Sequence, residues 1–253
     1  VGKMADGFKA RTFLQFTNIP AGATIYDAVL WLRNHYSYNC AAHAIYASRV
    51  TSGWGPGAAI GWPGPSVDGF GQGLYQPAHG STNCGVDWAW WDLTAMVQSW
   101  SSGAANHGVR LHAGDESVAS SLRNYRSMEY GDPNLRPRLD ISYNHAPSQP
   151  GGVAISSFGQ GYVTDPSPVL SADLADPDGG LVAGNFSIVP ASGGAPVWSG
   201  SEGWYPSGTR VYVRVPAGLL ADGAYQLRVR TSDGIVESST AVVGFTYDAT
   251  KPA

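Results

Sequence analysis

Hydrophobic and polar positions alternate over short runs along most of the chain, which is the two-residue period of half-buried strands. In residues 11–16 (RTFLQF), Thr12, Leu14 and Phe16 fall on one face and Arg11, Phe13 and Gln15 on the other. Residues 25–33 (IYDAVLWLR), 44–50, 107–113, 120–128 and 138–143 (RLDISY) read as further strands, broken by turns at 18–22 (NIPAG), Gly114-Asp115 and 131–133 (GDP). In residues 86–93, Ala89, Trp91 and Leu93 point one way and Trp88, Trp90 and Asp92 the other. Met96, Val97 and Trp100 then recur at helical spacing, so residues 86–103 predict a strand running into a short helix, capped by Thr94 and stopped by Gly103. Residues 51–70 (TSGWGPGAAIGWPGPSVDGF) are too rich in Gly and Pro for regular structure and predict a long loop pinned by Trp54 and Trp62. Within 71–73, the Gly-Gln-Gly run is placed in a loop with no helix after it, which excludes a phosphate cradle.

Residues 145–152 (HAPSQPGG) form a short Pro/Gly-rich connector, and beyond it the strands shorten and recur about every ten residues. They fall at 154–158, 168–174, 182–189, 196–199, 209–215, 224–232 and 242–247, separated by DPDGG, PSG, ADG and SDG turns. Seven short strands in about a hundred residues predict an immunoglobulin-like sandwich, and Asp222-Gly-Ala-Tyr225 fits a tyrosine corner. The predicted fold is all-β. It comprises two tandem β-sandwich domains, 1–144 and 153–253, the first jelly-roll-like with one short helix, the second immunoglobulin/fibronectin-III-like.

Composition agrees with that pattern. Charged residues make up 13% of the 253 residues, while there are 33 glycines and 11% aromatics, a mix that suits a loop-rich β protein. The net charge is −4, and no basic stripe exists to attract nucleic acid. Residues 1–146 carry ten Lys/Arg against ten Asp/Glu, and the remainder five against nine, so the second part holds the net negative charge. No apolar run approaches the ~18 residues of a membrane-spanning helix. The opening VGKMADGFKA lacks the apolar core of a signal peptide, and the chain starts without Met almost directly on a strand, so it reads as a piece of a longer one. Cys40 and Cys84, each after an Asn, are too few for a structural zinc site without several histidines. They form either a disulfide, worth on the order of 3–4 kcal/mol in an oxidising compartment, or two separate buried thiols.

Four stretches in order carry a family resemblance: ARTFLQFTNIPAGATIYDAVLWLR (10–33), VTSGWGPGAAIGWPGPS (50–66), WWDLTAMVQSWSSGAANHGVRL (90–111) and NYRSMEYGDPNLRPRLDISY (124–143). Together they resemble the bacterial DNRLRE-domain family, which is grouped with alginate-type carbohydrate-binding modules. Family members usually begin with one or two more strands than this chain has. The resemblance implies a β-sandwich, a place in a secreted or cell-surface protein, and a disulfide between Cys40 and Cys84 as in a disulfide-bearing subgroup. It also places Arg11 and Glu129 at family motif positions. DPDGG, VWSG, DGAYQLRVRTSDG and YDATKP resemble the fibronectin-III/Ig-like modules that follow such domains in large secreted RHS-repeat and polysaccharide-active proteins, with YDATKP as a joint to a further module.

The candidate chemistry is sparse. Flat aromatics on a rigid strand bind sugar rings without losing much entropy, so Trp88 and Trp90, two residues apart on one face, are ligand-binding candidates unless loop 51–70 or a neighbouring domain covers them. Tyr36 and Tyr38 are lesser candidates for the same face. Arg126, with Arg136 and Arg138, would receive an acidic sugar such as a uronate if exposed. Glu129 as a general acid would need Glu116 or Asp115 facing it across a cleft, whereas the simpler reading pairs it structurally with Arg11 or Arg138. The six histidines are dispersed, and no GxSxG, HxxxH or HExxH pattern occurs. Asp176, Asp178 and Asp233 are the best metal candidates, for Ca2+ at 6–8 coordination, against the simpler reading as turn formers.

The expected function is a non-catalytic module of a secreted bacterial surface protein, without a required cofactor, that binds a polysaccharide or surface glycan or spaces and presents neighbouring modules. One alternative is a structural part of an extracellular assembly, such as an RHS-type toxin or filament, that binds protein. A further one is a polysaccharide-active enzyme using Glu129. Neither nucleic acid nor membrane insertion is expected.

Overall fold

A computed structural model of the chain describes residues 1–55, 60–159 and 161–250. Residues 56–59 of the predicted loop and 251–252 of the predicted joint lie outside them, as do 160 and 253. The chain divides into two compact units, Val1–Asn144 and His145–Ala253, both β-sandwiches.

In the first unit the strands run β1 (Gly2–Lys3), β2 (Lys9–Ala10), β3 (Thr12–Leu14), β4 (Thr24–Ser37), β5 (Ile45–Val50), β6 (Val67–Tyr75), β7 (Asp87–Asp92), β8 (Val109–Ala113), β9 (Arg123–Tyr125) and β10 (Arg138–Asn144). One sheet has the order β10-β4-β7 with β9 also pairing β4, the other the order β3-β8-β5-β6, and β1 and β2 form a small ribbon. Alternation explains the layering: Ala28, Leu30 and Leu32 of β4 and Ala89 and Trp91 of β7 point inward and are buried. Trp91 spans the layers, its indole N–H donating to the Ile45 carbonyl at 2.9 Å and its ring meeting Tyr125 edge-on. Burial of large apolar side chains of this kind is worth about 1.5–3 kcal/mol each.

Helix α1 (Thr94–Ser101) follows β7 directly and buries Met96, Val97 and Trp100. Its start corrects the predicted cap. The Asp92 carboxylate accepts from the Thr94 N–H at 2.9 Å, while the Thr94 hydroxyl accepts from the Ala28 N–H at 3.0 Å. Gln98 adds bonds to the Ile25 N–H and the Ala23 carbonyl. The helix therefore bonds to backbone groups of the stretch of β4 that runs on beyond the end of β7. Gly103, in the left-handed region, ends it as expected.

Loop 51–70 is shorter than predicted, because β6 begins at Val67 and also takes in the Gly-Gln-Gly run assigned to a loop. The glycines are there for close approach: a Cβ on Gly73 would sit 2.8 Å from the Asp92 carbonyl oxygen and 2.9 Å from the Trp91 Cβ. Trp54 pins the described part of the loop, donating to the His107 carbonyl at 2.6 Å and packing on Phe13. The predicted strand 120–128 is reduced to β9, preceded by a single 3-10 turn at Ala119–Ser121. Cys40 and Cys84 form a disulfide. It ties the chain after β4 to the chain before β7, just past the last β4–β7 pair, Asn34 opposite Asp87.

The second unit contains β11 (Gly151–Ile155), β12 (Phe158–Gly159), β13 (Tyr162–Val163), β14 (Val169–Leu174), β15 (Leu181–Pro190), β16 (Trp198–Pro206), β17 (Thr209–Arg214), β18 (Gly223–Ser232) and β19 (Ala241–Tyr247). One sheet is β11-β14-β17, the other β12-β13-β19-β18-β15-β16. Leu170, Leu174, Phe186, Ile188, Leu227 and Val229 fill the core between them. The Tyr225 hydroxyl donates to the Ala221 carbonyl at 2.9 Å, which is the tyrosine corner. Residues 145–152 are bonded into this unit: the Ser148 N–H donates to the Ala175 carbonyl, the Gln149 amide to the Thr240 carbonyl, and Gly151 opens β11.

Candidate functional site

The outward positions of the β10-β4-β7 sheet are set by the same alternation that fills its core. With Ala28, Leu30 and Leu32 inward, Val29, Trp31 and Arg33 point out. Pairing register then sorts them into rows: Arg138 lies opposite Trp31 and Trp31 opposite Trp90, with Arg33 opposite Trp88 in the next row. Trp90 is 46% exposed, while Trp88 and Trp31 are half-buried. Two guanidinium groups lie over Trp88. The Arg138 guanidinium lies 4.8 Å and that of Arg33 5.6 Å from its ring centroid, and Arg138 also reaches the Trp31 ring at 5.6 Å. Arg33 is held by Asp87 and the Val86 carbonyl, and Arg138 by Asp140. Trp90 leans on the Tyr75 ring edge, and the Tyr75 hydroxyl contacts His79 and donates to the Trp88 carbonyl. Burial pushes the Tyr75 hydroxyl pKa up and the His79 pKa down, so at neutral pH both are uncharged supports for the indoles.

The arrangement is therefore three indoles and two guanidinium groups on one rigid sheet face. Chemically it offers the exposed Trp90 indole for C–H groups and guanidinium donors for ring hydroxyls or carboxylates. Described residues of loop 51–70 pack elsewhere: Trp62 stacks on the Arg11 guanidinium at 4.2 Å, and Trp54 covers Phe13.

Tyr36, farther along β4 past the irregularity at His35, and Tyr38, just beyond the end of β4 toward Cys40, are both exposed. Arg126 does not join the indoles. Its guanidinium stacks on Tyr130 at 4.1 Å and lines a separate concavity of about 480 Å³ with Phe13, Leu14, His35, Asn124 and Met128. Arg136 donates to the Tyr130 carbonyl, so of the three arginines singled out in the sequence, only Arg138 reaches the tryptophans. Trp31 and Arg33 were missed, although the alternation in residues 25–33 already carried the signal.

The predicted Arg11–Glu129 ion pair is overturned. Arg11 makes a two-pronged bond to Glu116, with Nε to Oε1 at 2.8 Å and Nη2 to Oε2 at 2.7 Å. Pairing explains the change: β3 lies beside β8, so Arg11 faces the turn after β8 that carries Glu116, whereas Glu129 follows β9 in the other sheet and is exposed. The fork also holds the Glu116 carboxyl below its usual range. Asp115, the other suggested partner for catalysis, accepts from the Ser117 N–H at 2.7 Å.

Among the described residues, no group of three His, Cys, Asp or Glu side chains is placed to hold a metal. Asp176 accepts from the Asp178 N–H at 2.7 Å, and Asp178 from the His145 N–H at 2.6 Å. Asp233 accepts from the Ile235 and Val236 N–H groups, both at 2.7 Å. Also among them, no helix is long and apolar enough to cross a membrane.

Comparison with known proteins adds little to this geometry. No family model and no curated protein matches the chain. Among solved structures, it is similar to the PKD domain of an M14-like peptidase from a Thermoplasmatales archaeon, at 19% identity over 41% of this chain and 97% of that one, with a TM-score of 0.31. It is also similar to a β-glucuronidase from Parabacteroides merdae, at 15% identity over 95% of this chain and 29% of that one (TM-score 0.29). A glycosyl hydrolase family 2 member from Bacteroides cellulosilyticus matches at 11% identity over 93% of this chain and 28% of that one (TM-score 0.32). The chain thus spans under a third of these two glycosidase chains.

Proposed function

We propose that this chain is a non-catalytic module of an extracellular protein that binds glycan on the outer face of the β10-β4-β7 sheet. One observation carries the reading: Trp90 stands exposed, with Trp31 directly opposite it and Trp88 held between Arg33 and Arg138. A display of this kind costs apolar exposure, whereas a sugar ring laid on it meets side chains already held by their neighbours. The resemblance of residues 10–143 to DNRLRE domains supports the same class of ligand. The Cys40–Cys84 disulfide suits an oxidising, extracellular setting. The lock of Arg11 on Glu116 supports the non-catalytic reading, since it ties Glu116 into a structural fork in one sheet while Glu129 follows β9 in the other, so the two carboxyls are not set as a facing pair. Binding of the whole chain to a panel of immobilised glycans, with and without Trp88 and Trp90, tests it.

A further inference from the structure

The second unit carries its own concave face, which the sequence reading left without a role. It is a groove of about 650 Å³ on the outside of β16-β15-β18-β19. Along β15, Val182, Gly184, Phe186 and Ile188 point inward, so Ala183, Asn185 and Ser187 point out. Register places Ser201, Asn185 and Arg230 in one row, and Ser199, Ser187, Arg228 and Val242 in the next. The floor is small and hydroxylated, and the charged side chains stand at its β18 side.

Trp204 stands one row beyond the groove's lining, past the Asn185 row. Between the pairs Gly184–Glu202 and Val182–Tyr205 the register shifts, so Gly203 and Trp204 together oppose the outward Ala183. The bulge thereby turns Trp204 to the outer face, where it is 55% exposed. Its ring lies over Gly234, where an added Cβ would meet the indole Cη2 at 3.1 Å. From Trp204 through the Arg230 row to the Arg228 row is about 14 Å along the strands.

The charges of this face are preorganised and unbalanced. Arg230 donates through Nε to the Thr240 hydroxyl at 2.7 Å and through Nη1 to Glu237 at 2.8 Å, and Asn185 donates to the other Glu237 oxygen at 2.7 Å. Arg228 is steadied by the neutral amide of Gln226, at 2.9 Å from Nη2. Two guanidinium groups thus face one carboxylate, in a unit whose total charge is negative.

We propose that this face is a second binding site, for an anionic polysaccharide. A sugar ring stacks on Trp204, hydroxyls meet Ser201, Asn185 and Ser187, and a carboxylate or sulfate group pairs with Arg228. The site is independent of the indole platform on the first unit. To test it, the whole chain carrying Trp88→Ala and Trp90→Ala is titrated with polygalacturonate, dextran sulfate and uncharged dextran. Trp204→Ala and Arg228→Gln are then added to it singly. The expected result is binding of at least one charged polymer at least tenfold tighter than dextran, weakened about tenfold by either added substitution with the melting temperature unchanged. The two charged polymers separate a carboxylate from a sulfate ligand. Charged polymers bound no better than dextran would overturn the proposal, as would full binding by the Trp204→Ala or Arg228→Gln chain. Should a substitution disturb folding, the Trp204 indole N–H resonance of the chain without it decides: it shifts on adding the charged polymer, and an unmoved resonance overturns the proposal. Loss of binding only on removing Trp88 and Trp90 would leave the first platform standing and this one refuted.

Discussion

The Arg138 guanidinium lies 4.8 Å from the centre of the Trp88 ring, and the same cation reaches the Trp31 ring across the β10–β4 pair at 5.6 Å. It therefore holds two indoles in place with one side chain. Arg138→Ala is expected to lower unfolding stability by about 0.5–1 kcal/mol, the scale of an exposed cation–π contact, with the fold intact. Chemical denaturation measures this. Arg138→Lys should recover only part of it, because an ammonium cannot lie flat on a ring.

The two-pronged bond from Arg11 to Glu116 is mostly shielded, with side chains 15% and 13% exposed. Glu116 has its carboxyl pKa pushed below its ordinary value of 4.5, first by the Arg11 hydrogen bond. A carboxyl depressed in the folded state binds its proton more readily when unfolded. Its contribution is therefore complete above about pH 4.5 and is lost as pH falls through the folded-state value. Glu116→Gln should cost roughly 1–3 kcal/mol near neutrality and flatten the fall in stability between pH 5 and 3. Glu129→Gln, at an exposed side chain, should leave stability near neutrality unchanged. Urea melts across that pH range and near neutrality check both statements.

The Cys40–Cys84 disulfide joins residues 44 apart in the sequence. Restriction of the unfolded chain by a loop of that size is worth on the order of 4 kcal/mol. Reduction, or Cys40→Ser with Cys84→Ser, should lower the stability of the first unit by about 2–4 kcal/mol. Melts in the presence and absence of reductant read this out, and the second unit, which has no cysteine, should keep its midpoint.

Much of this architecture was legible in the strand pattern. Ala89, Trp91 and Leu93 are buried on the parity their alternation implies, and α1 follows β7 as its spacing requires. Tyr225 closes its corner on Ala221 as DGAY implies. What escaped depends on which strands become neighbours. Gly73 looked like a loop residue, because a glycine-rich stretch carries no sign that the Asp92 carbonyl passes so close that an added Cβ would sit 2.8 Å from it. Glu116 becomes the partner of Arg11 only once β3 pairs with β8. Trp31 was readable as outward, but its place opposite Trp90 is a matter of register, which short-range pattern does not specify.

The Tyr225 hydroxyl offers a check on the second unit alone. Tyr225→Phe keeps the ring stacked on Phe245 at 5.6 Å and removes only the bond to Ala221. Stability should fall by about 0.5–1.5 kcal/mol, and by more if the Ala221 carbonyl is left without a partner. Calorimetry should show the upper or lower transition moving alone, with the first unit unchanged.

The most direct measurement of the central claim is binding of the intact chain to a glycan array, repeated with Trp90→Ala and with Trp88→Ala plus Trp90→Ala. We expect a defined glycan set bound by the intact chain, weakened about tenfold by Trp90→Ala and further by the double change, with unchanged circular dichroism. A chain that binds no glycan, or binds as well without either indole, would contradict the account.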